Sequence, residues 1–368
     1  MNEQKTKKAR LTMKFRTRVY RKAWRESARF LCRVHSQFAI PTTLGLCFTH
    51  ICNIRCPYCM RESFHPQKGP MTLGQVKGLL HKTPYVSGIC VMGLCEPFMN
   101  VEAPDIVRWL KDVGGYKIAL TTNGMVPLTE DRLNCLLRVD DFVISMDTND
   151  AKTFNFLRGG ADLNRVMKSL DTVIEFKRER GLGRYDNPPI HINAVITTLN
   201  FHHIPGLIEM LEPYAKDLTY LMVDPVSRPD YSRFEEPLAL VHNKEFEESI
   251  TKYRKIAKES PLQVVGLDYM LIPSYNWANC GLTWLTMWVE PNGDAYFCYD
   301  YRKVLGNVFE ENPLRVWNSP MARSFRKGLA RNDPPLHQCR ACNFAREGWQ
   351  IGGTYYSEPK DTGESIDT

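Results

Sequence analysis

No apolar run in this 368-residue chain reaches the ~18 residues of a membrane-spanning helix. The basic start also lacks the apolar stretch and small-residue cleavage site of a secretory signal. Both absences make the cytoplasm the expected location. Hydrophobic material is not short, however: apolar residues make up 43% of the chain, enough for a large buried core and against global disorder. No internal repeat is visible, and the length suits one large domain or two ordinary ones.

Acidic residues are scarce only at the start. Residues 1–40 hold 12 Lys/Arg against 2 Asp/Glu, a local +10, whereas the remainder holds 36 against 39, a local −3. The overall +7 therefore describes an arm and not the body of the protein. Within that arm Tyr20, Trp24, Ala28, Leu31, Val34 and Phe38 recur at helical spacing among Arg and Lys, which predicts a cationic amphipathic helix ending before Pro41. Such a helix either packs on the main domain with its charges solvated or offers a surface to anionic lipid, nucleic acid or a phosphorylated substrate.

From Thr43 the texture alternates. Strands are expected at Thr43–Thr49, Gly88–Met92, Lys117–Thr121, Asp141–Ser145, Ile190–Ile196 and Leu218–Met222. Amphipathic helices fit near 72–81, 103–113, 128–137, 163–179, 203–213 and 244–258. Repeated β-then-α units imply an α/β fold with a parallel sheet and helices outside, whose chemistry gathers at the carboxyl ends of the strands. After about residue 262 the pattern breaks. LTMWVEPNGDAYFC predicts a hairpin about Pro-Asn-Gly, followed by helices near 312–318 and 320–328 and a polar tail from about 351. The expected organisation is an arm (1–42), a β/α domain built on an open sheet or a barrel (43–262), a small cysteine-bearing unit (263–350) and a flexible tail (351–368).

Disulfides are not expected in a cytosolic chain, so twelve cysteines point instead to metal or redox chemistry. Seven fall into two groups with ligand-like spacing; the other five are scattered, and most of those read as small buried hydrophobes. Cys52, Cys56 and Cys59 follow the first strand directly, where active sites gather. Three thiolates can hold a [4Fe–4S] cube and leave one iron open, or bind zinc with a fourth ligand such as His50 or His65. Cys280, Cys298, Cys339 and Cys342 make a closed four-thiolate set, suited to an electron-carrying cluster or a structural zinc.

The stretch CNIRCPYC resembles the Cys-x3-Cys-x-aromatic-Cys signature of the radical S-adenosylmethionine (SAM) superfamily. MGLCEPFMN at 92–100 is similar to its Gly-x-Gly-Glu-Pro element, TTNG at 121–124 to its third-strand turn, and ISMDTND at 144–150 to its Ser-x-Asp. FLRGG at 156–160 and INAVITTLN at 192–200 continue the likeness in the same order. One residue departs from it: Cys95 stands where the family has a second glycine. The second group, with Gly293 five positions before Cys298 and LGNV at 305–308, resembles the SPASM/twitch auxiliary-cluster domains. Gly348 replaces a further SPASM cysteine, so one auxiliary cluster is expected rather than two.

The resemblance implies a partial (β/α)6 radical SAM barrel with a small SPASM/twitch-like hairpin-and-helix domain. It implies a SAM-binding [4Fe–4S] cluster on Cys52, Cys56 and Cys59, and an auxiliary [4Fe–4S] cluster on Cys280, Cys298, Cys339 and Cys342. Tyr58 would lean toward adenine, Glu96 would hold the methionine ammonium, and Ser145, Asp147, Arg158 and Asn193 would contact ribose and carboxylate. The implied reaction is hydrogen abstraction by a 5′-deoxyadenosyl radical, with a reductant such as flavodoxin or ferredoxin supplying the electron. Two-electron oxidation of a polar small molecule, a sugar or phosphorylated compound, is the leading expectation. It needs a base, for which His191, Asp224 and Arg228 are candidates at strand ends. Cys95 is a candidate hydrogen donor if the enzyme is instead a radical epimerase, or else simply fills the glycine's place. A peptide or protein maturase and a non-catalytic zinc protein that binds nucleic acid are the other readings.

Overall fold

The structure, a computed structural model, describes residues 38–59, 61, 69–225, 243–267, 280, 282–298, 303–331, 333 and 339. Nearly all of the basic arm, the polar tail, His65, Arg228 and Cys342 lie outside the described residues.

Six parallel strands carry the fold: β1 (Thr43–Leu46), β2 (Gly88–Val91), β3 (Lys117–Thr122), β4 (Asp141–Ser145), β5 (Ile190–Ile196) and β6 (Leu218–Pro225). The chain returns between them through α1 (Leu73–Lys82), α2 (Ala103–Asp112), α3 (Glu130–Leu136), α4 (Ala151–Leu157), α5 (Leu163–Arg178) and α6 (Ile204–Leu211). Helix α7 (Lys244–Glu259) follows β6. Short polar side chains start these helices. Thr72 and Gln75 form a capping box on α1, and Thr129, Asp150 and Asp162 each accept a backbone N–H from the first turn of α3, α4 and α5. Helix α4 was not expected from the sequence. Strand β1 stops at Leu46, short of Thr49, because the Phe48 carbonyl turns away to accept from Met71 N and Asn100 Nδ2.

The later elements are β7 (Val264–Val265), α8 (Leu282–Leu285), β8 (Thr286–Val289), β9 (Asp294–Tyr296), β10 (Gly306–Asn307), α9 (Pro313–Trp317) and α10 (Pro320–Ala330). The expected hairpin is β8–β9, turning at Pro291-Asn292-Gly293. It is not set apart from the barrel. Strand β8 pairs parallel with β1, from Thr43↔Thr286 to Leu46↔Val289. One ten-stranded sheet results, in the order β10-β9-β8-β1-β2-β3-β4-β5-β6-β7.

Strand alternation gives this sheet two different faces. Leu44, Ile89, Ile118, Phe142, Ile192 and Leu221 lie on one face, fully buried in the core that the helices cover. Right-handed crossovers place all the helices on that side. The other, inner face carries Gly45, Cys90, Ala119, Ser145, Asn193 and Asp224, small or polar residues that leave room at the barrel mouth, together with Met222.

Candidate active site at the barrel mouth

The three-cysteine loop leaves β1 at its carboxyl end. A backbone turn from Cys59 N to the Cys56 carbonyl (3.0 Å) closes it. Arg55 N donates to the Gly159 carbonyl at 3.3 Å, pinning it from outside. Gly159 has φ +52°, and a Cβ there would meet the Arg55 carbonyl oxygen at 2.0 Å, so only glycine allows this approach. From β3, Asn123 Nδ2 reaches Cys52 Sγ at 3.6 Å and donates to Asn53 Oδ1 at 2.8 Å.

All three thiols are free and half-buried. Burial pushes the thiols of Cys52 and Cys59 up and that of Cys56 up to about 12, against the opposing pull of nearby Arg158 on Cys56. Thiolates here therefore call for a cation. Among the described residues, the set of three ligand atoms that closes to within 4.8 Å of one another is Cys47, His50 and Glu290, and not the three loop thiols. A single tetrahedral zinc would draw its sulfurs to roughly 4 Å apart. Three thiols on one short loop at the barrel mouth are a donor set that fits the expected cluster.

Tyr58, between two of these cysteines, donates its hydroxyl to Asp147 Oδ2 at 2.6 Å. Arg158 grips Asp147 with Nε and Nη2, each at 2.6 Å, and Val195 N reaches Oδ1 at 2.8 Å. The guanidinium also lies 6.0 Å from the Tyr58 ring centroid. Asp147 is fully buried and both its oxygens are engaged within the protein, so it fixes Arg158 and Tyr58 in place.

Glu96 caps the short turn after β2. It accepts from Thr122 Oγ1 (2.8 Å), Asn123 N (2.8 Å) and Phe98 N (3.3 Å). Burial still pushes this carboxyl up to about 7 against those hydrogen bonds, which suits a site that receives a cationic group. Ser145 and Asn193 are register partners on the inner face. Asn193 Oδ1 is buried without a hydrogen-bond partner among the described residues, the position a ligand hydroxyl would fill. Cys95 is half-buried on the loop before Glu96, close enough to Cys59 to raise its thiol slightly.

Two of the base candidates separate by position. His191 is the second residue of β5, near the amino end of the sheet, bonded to Asp141 Oδ1 at 2.8 Å and stacked on Tyr220 at 4.1 Å, far along the strand from the loop. Asp224 stands at the carboxyl end of β6 opposite Val195, and burial alone pushes it up to about 7. Its Oδ1 has no hydrogen-bond partner among the described residues.

Of the second cysteine group, Cys280 is buried just ahead of α8, Cys298 follows β9 and Cys339 lies beyond α10, all packed against the main core. Cys298 lines a cavity with Cys47, Met92, Gly93, Trp288 and Glu290. Sequence reasoning missed Glu290 and left Cys47 among the scattered cysteines. The side chain of Glu290 meets His50 Nε2 through Oε2, across a separation of 240 residues that no local pattern signals.

Residues 46–210 match the family model of the Radical SAM superfamily, and residues 280–343 match the iron-sulfur cluster-binding SPASM domain. The chain is a radical SAM protein with a SPASM domain. These two domains bring a SAM-binding [4Fe–4S] cluster, SAM and an auxiliary cluster. Among curated proteins, the chain is 33% identical over 143 residues to GTP 3',8-cyclase of Rhodopirellula baltica, covering 36% of this chain and 39% of the relative. It is 27% identical over 177 residues to the tungsten-containing aldehyde ferredoxin oxidoreductase cofactor-modifying protein of Pyrococcus furiosus, covering 46% and 47%. The chain thus spans about half the length of the curated relatives it matches. In structure it resembles SuiB of Streptococcus suis bound to precursor peptide SuiA (TM-score 0.64, 18% identity, 87% of this chain and 73% of that one). It also resembles anSMEcpe with bound AdoMet (TM-score 0.59, 15% identity, 86% and 93%). Both likenesses establish the fold, a partial radical SAM barrel with an added domain. Among the described residues, no helix is long and apolar enough to cross a membrane.

Proposed function

We propose that this protein is a radical SAM oxidoreductase that withdraws a hydrogen atom from one carbon of a polar small molecule and a proton from the hydroxyl or amine on that carbon, the remaining electron passing to the auxiliary cluster. The supporting observation is that Cys298, from the SPASM hairpin, lines the same cavity as Cys47 and Met92, which stand just past the carboxyl ends of β1 and β2. An electron acceptor held by Cys280, Cys298, Cys339 and Cys342 would sit beside the reaction cavity.

Cys52, Cys56 and Cys59 would ligate the SAM-binding cluster, with Tyr58 held against Asp147 and Arg158 to set the loop. Glu96 would take the methionine ammonium, and Ser145 and Asn193 a ribose hydroxyl. When bound, these groups supply a 5′-deoxyadenosyl radical that takes a substrate hydrogen atom, and an acceptor for the electron left behind. Asp224 accepts the proton. It faces the inner side at the right end of its strand, and with its carboxyl near 7 it is poised to exchange protons at neutral pH. The relatives named GTP 3',8-cyclase favour a phosphorylated compound over a bare sugar. A flavodoxin- or ferredoxin-type reductant would start each turnover.

The test uses the anaerobic, reduced protein with SAM and two fractions of a cell extract, low-mass metabolites and peptides. Stimulated 5′-deoxyadenosine formation in the metabolite fraction, with a product lighter by two hydrogens, supports the reading. Stimulation by peptides alone, or a product of unchanged mass carrying solvent deuterium, overturns it.

A further inference from the structure

Strand β8 brings a second set of ligating side chains to the barrel mouth, outside both cysteine groups. The β1/β8 ladder ends at Leu46↔Val289 and continues as Cys47 N donating to the Val289 carbonyl at 3.0 Å. Cys47 and Glu290 are therefore the next residues across this seam. His50 folds back three residues later to bond Glu290 through Nε2 and Oε2. The hairpin turn fixes Glu290 from the other side, its N–H donating to the Asp294 carbonyl at 2.9 Å.

Cys47 Sγ, the His50 ring nitrogen and a Glu290 oxygen all lie within 4.8 Å of one another. All three are shielded, with Cys47 3% exposed and the side chains of His50 and Glu290 12% and 8% exposed. Gly93 makes room for the sulfur, since a Cβ there would sit 3.2 Å from it. The Cys47 thiol donates to the Thr49 carbonyl at 3.0 Å.

We propose that Cys47, His50 and Glu290 form a third metal site, for a single zinc-class divalent ion. One thiolate, one imidazole and one carboxylate are the borderline donors zinc accepts, at bonds of roughly 2.0–2.3 Å. A tetrahedral ion holds its donors roughly 3.3–3.7 Å apart, so the direct His50–Glu290 hydrogen bond would open to admit the ion between them. Two negative ligands and a neutral imidazole cancel a charge of two, so the buried site ends with no net charge. On binding, the Cys47 thiol releases its proton to solvent and gives up the Thr49 carbonyl, and His50 Nε2 gives up the proton it shares with Glu290, the neutral ring keeping its N–H on Nδ1. Three ligands from the described residues leave the fourth position of a tetrahedral ion to another donor, such as water or a substrate atom. Cys47 and Glu290 both line the cavity they share with Met92, Trp288 and Tyr296. The proposal concerns residues that neither cluster uses, and although Cys47 also lines the cavity on which the oxidoreductase reading rests, its test reads zinc rather than turnover.

The experiment is elemental analysis and zinc-edge X-ray absorption on the cluster-loaded, anaerobically purified protein grown with added zinc. Wild type, Glu290→Gln and Cys47→Ser are compared. The expected result is one zinc per chain with a single sulfur among lighter donors, lost in both variants while iron content stays at the wild-type level. Unchanged iron certifies that each variant is folded, and the wild-type donor shell needs no variant at all. Absence of zinc, an all-sulfur shell from zinc lodged in the cluster cysteines, or zinc retained in both variants overturns the proposal.

Discussion

Gly45 lies directly under the indole of Trp288: a Cβ at residue 45 would meet the ring at 2.0 Å. These residues are partners across the β1/β8 ladder, so the glycine is what lets the hairpin's large side chain fold flat on the inner face. Gly45→Val should push the indole out and loosen the seam, destabilising the protein by about 1–3 kcal/mol, as overpacking does. Thermal unfolding and the near-ultraviolet circular dichroism of the tryptophans would register it. An unchanged tryptophan signal would mean that the ring is not seated there.

That seam also marks the limit of what could be read beforehand. Strands β4 and β5 were bounded correctly because each is a short stretch rich in Val, Ile and Phe set off by turn residues, and the loop cysteines announce themselves by spacing. Helix α4 escaped because its seven residues, AKTFNFL, are too few to establish a helical period. Pairing of β8 with β1 escaped for a different reason. Register between strands some 240 residues apart is set by which faces pack together and leaves no trace in local composition. Everything built on that pairing, including the His50–Glu290 contact, was therefore invisible.

Asp147→Asn should be costly in a way that Tyr58→Phe is not. The first leaves the buried Arg158 guanidinium facing a neutral amide, and breaking a buried pair costs about 3–5 kcal/mol. The second removes one hydrogen bond, worth about 1 kcal/mol. Iron loading and the electron paramagnetic resonance signal of the reduced SAM-binding cluster should shift in both, since both release the loop between Cys56 and Cys59. Loading and spectra identical to wild type in Asp147→Asn would show that the loop does not depend on this network.

Glu96→Gln keeps the shape of the cap but removes the charge. A hydrogen bond to a charged group contributes about 1.5–3 kcal/mol, so SAM should bind roughly 10- to 100-fold more weakly. With its carboxyl near 7, Glu96 gains a proton as pH falls through that value. Wild-type SAM affinity should therefore weaken toward pH 6 while the variant's stays flat. Equilibrium binding across pH 6–8 measures both, and parallel profiles would exclude Glu96 as the ammonium partner.

Substituting both Cys280 and Cys298 should lower bound iron from about eight to about four per chain, one cube in each cysteine group. Substrate-free conversion of SAM to 5′-deoxyadenosine should persist in that variant, because the loop cysteines are untouched. Loss of all iron would show that the two groups do not load independently. Cys95→Ala, in contrast, should keep substrate turnover and give product without solvent deuterium, whereas a radical epimerase would lose turnover.

The pH profile of turnover should be set by Asp224. Its carboxyl is raised by burial to about 7 from an ordinary value near 4, so the proton-accepting form appears only as pH rises through about 7. Turnover should climb over that range and level off above it. Asp224→Asn should abolish the climb and lower substrate turnover by roughly 10²–10⁴-fold, the usual contribution of a positioned base, while substrate-free SAM cleavage continues. Stability carries the opposite sign. Between about 4 and 7 the unfolded carboxyl is ionised while the folded one still holds its proton, so the wild type loses stability as pH rises through that window. Asparagine cannot ionise, so the variant's stability curve should be flatter there. A variant that keeps the wild-type rise in turnover would remove Asp224 from the proton path, whatever its stability curve shows.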